Sequence, residues 1–295
     1  MFVFSFWQSS FFASFFRVLR GGDQLLSPMG NDSNFESRVL GDVATLENNI
    51  DYGEVGKEEN VLAQGAYAYD LTAGKILFEK DSRKSLQAAS TVKIVTAAVA
   101  LDRGQLGEEM TVNYFPTVVG ESSMFLSFGE KFTLEELLYG LIVVSGNDCA
   151  ETIAQGLGGK RETFVDWMNE FAQKVGAVNT HFTTPSGLDE DGQYTTAYDL
   201  FLMGKYVFSN YPKVVEISVT RERYLPKTVG HRAYLLKNKL LLLDAFPIIA
   251  AKPGLGEQKM LSLVTLLEKD NHKILVALIR TPSIRHDLTQ ILKPS

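Results

Sequence analysis

Hydrophobic and polar positions first fall into order at about residue 63. Gly65-Ala66-Tyr67-Ala68-Tyr69 and Lys75-Ile76-Leu77-Phe78 flank Asp70-Leu71-Thr72-Ala73-Gly74, whose turn-forming residues predict a hairpin. Residues 88–101 (AASTVKIVTAAVAL) are alanine-rich and apolar, without Pro or Gly. They predict a helix buried on most faces and stopped near Gly104. Thr133 and Glu136 fit a capping box ahead of the apolar run 137–144, so a second helix starts there and ends close to Ser145. Residues 161–175 are amphipathic, with Phe164, Val165, Met168 and Phe171 on one side, and residues 197–208 predict another helix. Beyond about residue 240 the character changes to three β-prone runs, 246–251, 260–267 and 273–279, with a turn at 268–272. Residues 285–292 close as a short helix.

The order hairpin, helices, three strands, helix implies that the early strands join the late ones in one antiparallel sheet. The predicted fold class is therefore α/β of the α+β kind, an antiparallel sheet flanked by helices plus a mainly helical subdomain. Ahead of it, residues 1–16 carry no charge and are heavily aromatic, followed by Arg17, Arg20 and a Gly21-Gly22 break. Such a segment favours lipid or a translocon. Its basic residues follow the apolar stretch, whereas a secretory signal has them before it, and a spanning helix needs about 20 apolar residues. Signal, short anchor and misassigned start codon all fit. Residues 21–60 are polar, acidic and rich in Gly and Asn, as in a flexible tether. The expected division is a hydrophobic segment at 1–20, a linker at 21–60 and a catalytic domain at 61–295.

Composition removes several function classes. The formal charge is -6, with no run of basic residues, which argues against a nucleic-acid surface. A single cysteine, Cys149, excludes an internal disulfide, and His181, His231, His272 and His286 lack the close spacing of zinc ligands. Chemistry without a metal or cofactor is the default expectation, on small molecules, peptides or an envelope polymer.

Three short segments carry candidate chemistry. Ser90 and Lys93 lie three apart in a predicted helix, so their side chains share a face. A serine hydroxyl needs an adjacent base to act as a nucleophile, and lysine serves as one when burial and neighbouring charge lower its pKa. Ser145-Gly146-Asn147 offers a hydroxyl that can pass a proton and an amide that both donates and accepts. Lys252-Pro253-Gly254 follows an apolar strand that delivers the ammonium to the sheet edge. Each segment alone has an ordinary explanation: a helix-start serine, a polar turn, a surface lysine. Their order changes the odds, with about 55 residues between the first and second and about 105 more to the third.

On this order, residues 62–292 resemble the D-alanyl-D-alanine carboxypeptidases, the low-molecular-mass penicillin-binding proteins. The segments Gly129-Glu130-Lys131-Phe132-Thr133-Leu134, His181-Phe182-Thr183-Thr184-Pro185-Ser186-Gly187-Leu188 and Tyr194-Thr195-Thr196-Ala197-Tyr198-Asp199-Leu200 add to the likeness. The resemblance implies a β-lactamase/transpeptidase-like fold and a serine carboxypeptidase of the cell envelope, acting outside the cytoplasm on peptidoglycan stem peptides and inhibited by β-lactams. It implies that Ser90 is acylated, that Lys93 takes its proton and that Ser145 relays a proton to the leaving amine. Asn147 would hold the peptide, Lys252 would supply positive charge, and the N–H groups of Ser90 and Leu255, just past Gly254, would bind the oxyanion. Residues 1–16 would provide any membrane contact, because the chain stops soon after its closing helix.

The third segment departs from the family pattern. Its middle residue is usually threonine or serine, whose hydroxyl bonds the substrate carboxylate; Pro253 has neither that hydroxyl nor an N–H. Losing one hydrogen bond to a charged group costs about 1.5–3 kcal/mol, which weakens recognition and leaves nucleophile and base in place. Two rivals follow, a catalytically weakened peptidoglycan-binding or regulatory protein and a β-lactamase. The second is minor: the chain has no Glu-x-x-Leu-Asn segment, and Ser-Gly-Asn stands where class A β-lactamases have Ser-Asp-Asn. His181 is expected to be structural, Cys149 a small buried residue, and Arg285 to lie outside the catalytic set.

Overall fold

A computed structural model of the chain describes residues 60–113, 122–188, 190–238 and 240–293. The hydrophobic segment at 1–20 and nearly all of the expected linker lie outside the described residues. The elements are β1 (Gly65–Asp70), β2 (Lys75–Lys80), α1 (Lys93–Arg103), β3 (Glu109–Thr111), β4 (Lys131–Thr133), α2 (Leu134–Val143), α3 (Asn147–Gly158), α4 (Arg161–Lys174), α5 (Ala197–Asn210), α6 (Pro212–Ser218), β5 (Glu222–Leu225), β6 (Tyr234–Lys237), β7 (Ile248–Leu255), β8 (Leu261–Lys269), β9 (His272–Thr281) and α7 (Ile284–Ile291).

The five long strands form one antiparallel sheet in the order β2-β1-β9-β8-β7. The early hairpin thus joins the late strands through β1 and β9, as the element order predicts. Successive side chains of a strand point to opposite faces, and here both faces are covered. Tyr67, Leu275, Ala277 and Ile279 pack with the helices α1–α5, while Ala66, Ala68, Val276 and Leu278 pack with Ile284, Leu288 and Ile291 of α7. Burial on both sides is why β9 is apolar without alternation from Ile274 to Ile279.

The capping box at the start of α2 is formed: Glu136 N–H donates to Thr133 Oγ1 and Thr133 N–H to the Glu136 carboxylate. The first predicted helix begins differently. Residues Ala89–Val92 form a 3-10 turn, entered through Ala89 at φ 48°, and the α-helix starts only at Lys93. Two glycines account for the tighter turn. A Cβ on Gly187 would stand 2.3 Å from Ala89 O, and one on Gly254 2.9 Å from Ser90 N. The turn is thus wedged between a loop and β7, and both neighbours must lack side chains to fit.

Helices α3 and α6 and the ribbons β3–β4 and β5–β6 are not predicted from the sequence pattern. The buried face of α3 mixes Asn147, Asp148, Glu151 and Thr152 with Cys149, Ala150, Ile153 and Ala154, so no apolar stripe marks it. Among the described residues no helix is long and apolar enough to cross a membrane.

Candidate active site

Three elements deliver the candidate side chains to one place: the 3-10 turn leading into α1, the α2–α3 junction, and β7 at the sheet edge. Lys93 is fully buried, and its Nζ lies 2.7 Å from each of Ser90 Oγ, Asn147 Oδ1 and Ser186 O. Two of these neighbours, an amide oxygen and a backbone carbonyl, can only accept. A neutral lysine amine has two N–H bonds and one lone pair. With both N–H bonds taken by Asn147 and Ser186, the lone pair faces the Ser90 hydroxyl. Burial above all, and then the charge of Lys252, hold the Lys93 ammonium well below the ordinary lysine range, which makes the neutral amine more accessible than in an exposed lysine.

Lys252, 1% exposed, donates to Ser145 Oγ at 2.9 Å and to Pro253 O at 2.8 Å. Burial pushes its pKa down to about 7. Ser145 lies at φ 61°, a left-handed conformation that costs a non-glycine residue energy and is held by its surroundings. Gly146 N–H donates to Gly140 O, and Asn147 N–H to Ser122 O at 2.7 Å. Asp148 secures the same junction: its carboxylate accepts from the N–H groups of Met124, Leu126 and Cys149 and from Ser123 Oγ.

On β7, Ala251 N–H donates to Ser218 Oγ of α6, so it points away from β8. Residues alternate along a strand, and the register from Ala251 to Leu255 is unbroken; the backbone groups of Pro253 and Leu255 therefore also face outward. Pro253 costs no ladder hydrogen bond there, as an edge strand allows. Gly254 brings the strand against Ser90 N, so Leu255, the next residue with an outward-facing backbone, follows beside the nucleophile turn.

Ser90, Lys93, Ser145, Asn147, Lys252, Gly254 and Leu255 are thus brought together. His181 is not among them: it is exposed and pairs with Tyr194 through backbone hydrogen bonds. Arg285 lies on α7, across the sheet from α1–α5. Cys149 is buried 3.7 Å from Met124 Sδ, with its thiol pushed well up by burial and by Asp148. The sequence reading missed Ser186, because a backbone carbonyl gives no residue-type signal. Its loop is pinned by Thr96 Oγ1 donating to Pro185 O, and by Gln193, whose amide accepts from Thr184 N–H and donates to Leu188 O.

Chemically, the arrangement offers a hydroxyl beside an amine base, a second hydroxyl on a lysine, and a sheet edge pressed against the backbone N–H of the nucleophile turn. That is the equipment of acyl transfer through a serine ester. Comparison with known proteins gives the same direction. Residues 54–282 match the family described as D-alanyl-D-alanine carboxypeptidase. The D-alanyl-D-alanine carboxypeptidase DacF of Bacillus subtilis is 29% identical over 78% of this chain and 60% of its own length. DacB2 of Mycobacterium tuberculosis, likewise a D-alanyl-D-alanine carboxypeptidase, is 32% identical over 74% of each chain. Among solved structures, a D-alanyl-D-alanine carboxypeptidase from Mycobacterium tuberculosis superposes with a TM-score of 0.71 at 28% identity, covering 83% of this chain and 94% of the other. The Streptomyces K15 DD-transpeptidase superposes at 0.72 with 25% identity, covering 82% and 98%.

Proposed function

We propose, from the premise that this chain belongs to the D-alanyl-D-alanine carboxypeptidase family, that it removes the terminal D-alanine of peptidoglycan stem peptides through an acyl-enzyme on Ser90. The observation that carries the reading is the Lys93 amine, buried, 2.7 Å from Ser90 Oγ, with two pure acceptors on its other sides.

In the forward step Ser90 Oγ attacks the carbonyl carbon of the penultimate D-alanine while its proton moves to Lys93. The carbonyl oxygen takes the negative charge and sits between the N–H groups of Ser90 and Leu255. As the C–N bond breaks, the proton that Lys93 took passes to the leaving amine through Ser145, which Lys252 holds by its hydroxyl oxygen, and Lys93 is neutral again. An ester on Ser90 remains. Water then attacks that ester and gives a proton to Lys93, which returns it to Ser90 Oγ as the ester bond breaks and the shortened peptide leaves. A β-lactam enters by the same attack, but its leaving nitrogen stays tethered, so the ester persists. Asn147, whose Oδ1 accepts from Lys93, is the residue assigned to hold the peptide backbone. The substrate places the enzyme outside the cytoplasm, at the cell wall.

Family membership favours this reading over the β-lactamase and the binding-only rivals. Intact-mass measurement after benzylpenicillin, followed by peptide mapping, tests it. The expected adduct is on the Ser90 peptide and is absent in Ser90→Ala; full labelling of Ser90→Ala would sink the assignment. Release of D-alanine from muropeptides separates a hydrolase from a protein that only binds them.

A further inference from the structure

Phe125 is the one aromatic residue among the described residues with a positive φ, 59°. A bulky side chain enters that left-handed region at a cost. The ring is nevertheless 40% exposed, while Met124 and Leu126 on either side are buried. Hydrogen bonds impose the turn. The N–H groups of Met124 and Leu126 donate to opposite oxygens of the Asp148 carboxylate, each at 3.0 Å; Phe125 N–H donates to Ser123 Oγ at 2.8 Å, and Phe125 O accepts from Arg232 Nη2 at 2.6 Å. None of these bonds uses the Phe125 side chain, and a glycine would take the same turn at lower cost. Its position is equally specific. Ser122 O accepts from Asn147 N–H at 2.7 Å, and Ser123 Oγ donates to Asp148 Oδ2 at 2.6 Å. The segment that presents the ring is therefore fastened to the start of α3, beside the residue assigned to the peptide backbone.

We propose that Phe125 is a substrate-binding residue: its ring receives the aliphatic side chain of the peptide residue that precedes the two D-alanines. The proposal rests on the reading of the site as a carboxypeptidase whose Asn147 holds the peptide. On that reading the leaving D-alanine lies by Ser145 and Lys252, so the acyl half of the substrate extends the other way, past Asn147 and over residues 122–126. An apolar ring held open there covers an aliphatic chain while leaving any charged end of that chain in water. The turn then has a use that the fold alone does not supply. It lifts one apolar side chain out of an otherwise buried run, and four hydrogen bonds keep it lifted before the substrate arrives.

The test compares three reagents on wild type and Phe125→Ala: a peptide with diacetylated lysine ahead of D-Ala-D-Ala, acetyl-D-Ala-D-Ala, and 6-aminopenicillanic acid, a β-lactam without an acyl side chain. For the lysyl peptide kcat/KM is expected to fall about tenfold, through KM. D-Alanine release from acetyl-D-Ala-D-Ala and acylation of Ser90 by 6-aminopenicillanic acid should stay as in wild type, because neither reagent reaches residue 125. A merely structural role would displace Asn147 and slow all three together, and that result, or an unchanged KM for the lysyl peptide, overturns the proposal. Phe125→Gly guards against a disturbed turn. It should match Phe125→Ala in KM yet melt a few degrees higher, since glycine adopts φ 59° freely. A KM loss in Phe125→Ala that is absent from Phe125→Gly traces the effect to the backbone and also overturns the proposal. Wild-type protein that releases D-alanine from neither peptide defeats the carboxypeptidase reading and the proposal with it, whereas release with the same KM in wild type and Phe125→Ala defeats the role of Phe125 alone.

Discussion

A lysine can act as a base near neutrality only where its charge is costly, and the residue-scale arrangement here makes both lysines costly to ionise. Burial and the neighbouring Lys252 hold Lys93 well below the usual range, and burial brings Lys252 to about 7. Acylation needs Lys93 neutral and Lys252 charged. Its rate should rise as Lys93 loses its proton and fall as pH passes about 7 and Lys252 loses its own. Lys252→Arg, which cannot deprotonate, should remove the alkaline limb in a pH profile of penicillin acylation. Pro253 bears on a different step. Because its backbone faces outward from the sheet, Pro253→Thr restores a hydroxyl and an outward N–H without altering the β7–β8 ladder. Acylation by D-Ala-D-Ala peptides should gain about tenfold or more in kcat/KM, the equivalent of one charge-assisted hydrogen bond. An unchanged rate would mean that another donor already holds the carboxylate.

Among elements, the decisive contact is β7 against the nucleophile turn. A Cβ on Gly254 would stand 2.9, 3.0 and 3.1 Å from Ser90 N, Ala88 O and Thr91 N, all backbone atoms that cannot swing aside. Gly254→Ala should therefore displace Ser90 from the Leu255 N–H and cut acylation about 100-fold, while the melting temperature moves by a few degrees at most. Measuring both on one preparation separates a displaced site from an unfolded one. The sequence made the long elements legible where a single periodicity ruled, as in the capping box of α2 and the apolar runs of β8 and β9. It hid α3 because the face that lines a polar site cannot be apolar. It also blurred Ser90, placed in a continuous helix, because nothing local to residues 88–93 reveals that Gly187 and Gly254, far along the chain, press on that turn. The five candidate side chains of the site were readable from type and spacing. The carbonyl of Ser186 was not, since a main-chain acceptor leaves no mark in a local pattern.

At the scale of the whole molecule, the two ends of the catalytic region lie side by side in the sheet. Strand β1 finds its second partner only in β9, more than two hundred residues later, with Tyr67 opposite Ala277. Strand β8, which carries β7 and hence Lys252, is seated by β9 on its other edge. A fragment ending before His272 retains every residue proposed to touch the substrate. It should nevertheless fail to label with penicillin, because β1–β2 and β7–β8 then have no common strand to join them. Labelling of such a fragment would show that the helices alone assemble the site.

Strand β9 thus acts in time as well as in space. Synthesis runs from the N-terminus, so the nucleophile and its base are made early and wait without effect through most of translation. Long-range strand pairing of this kind is slow to form. On the proposed function, the chain is in effect born inactive, and the strand that completes its sheet is also what arms it.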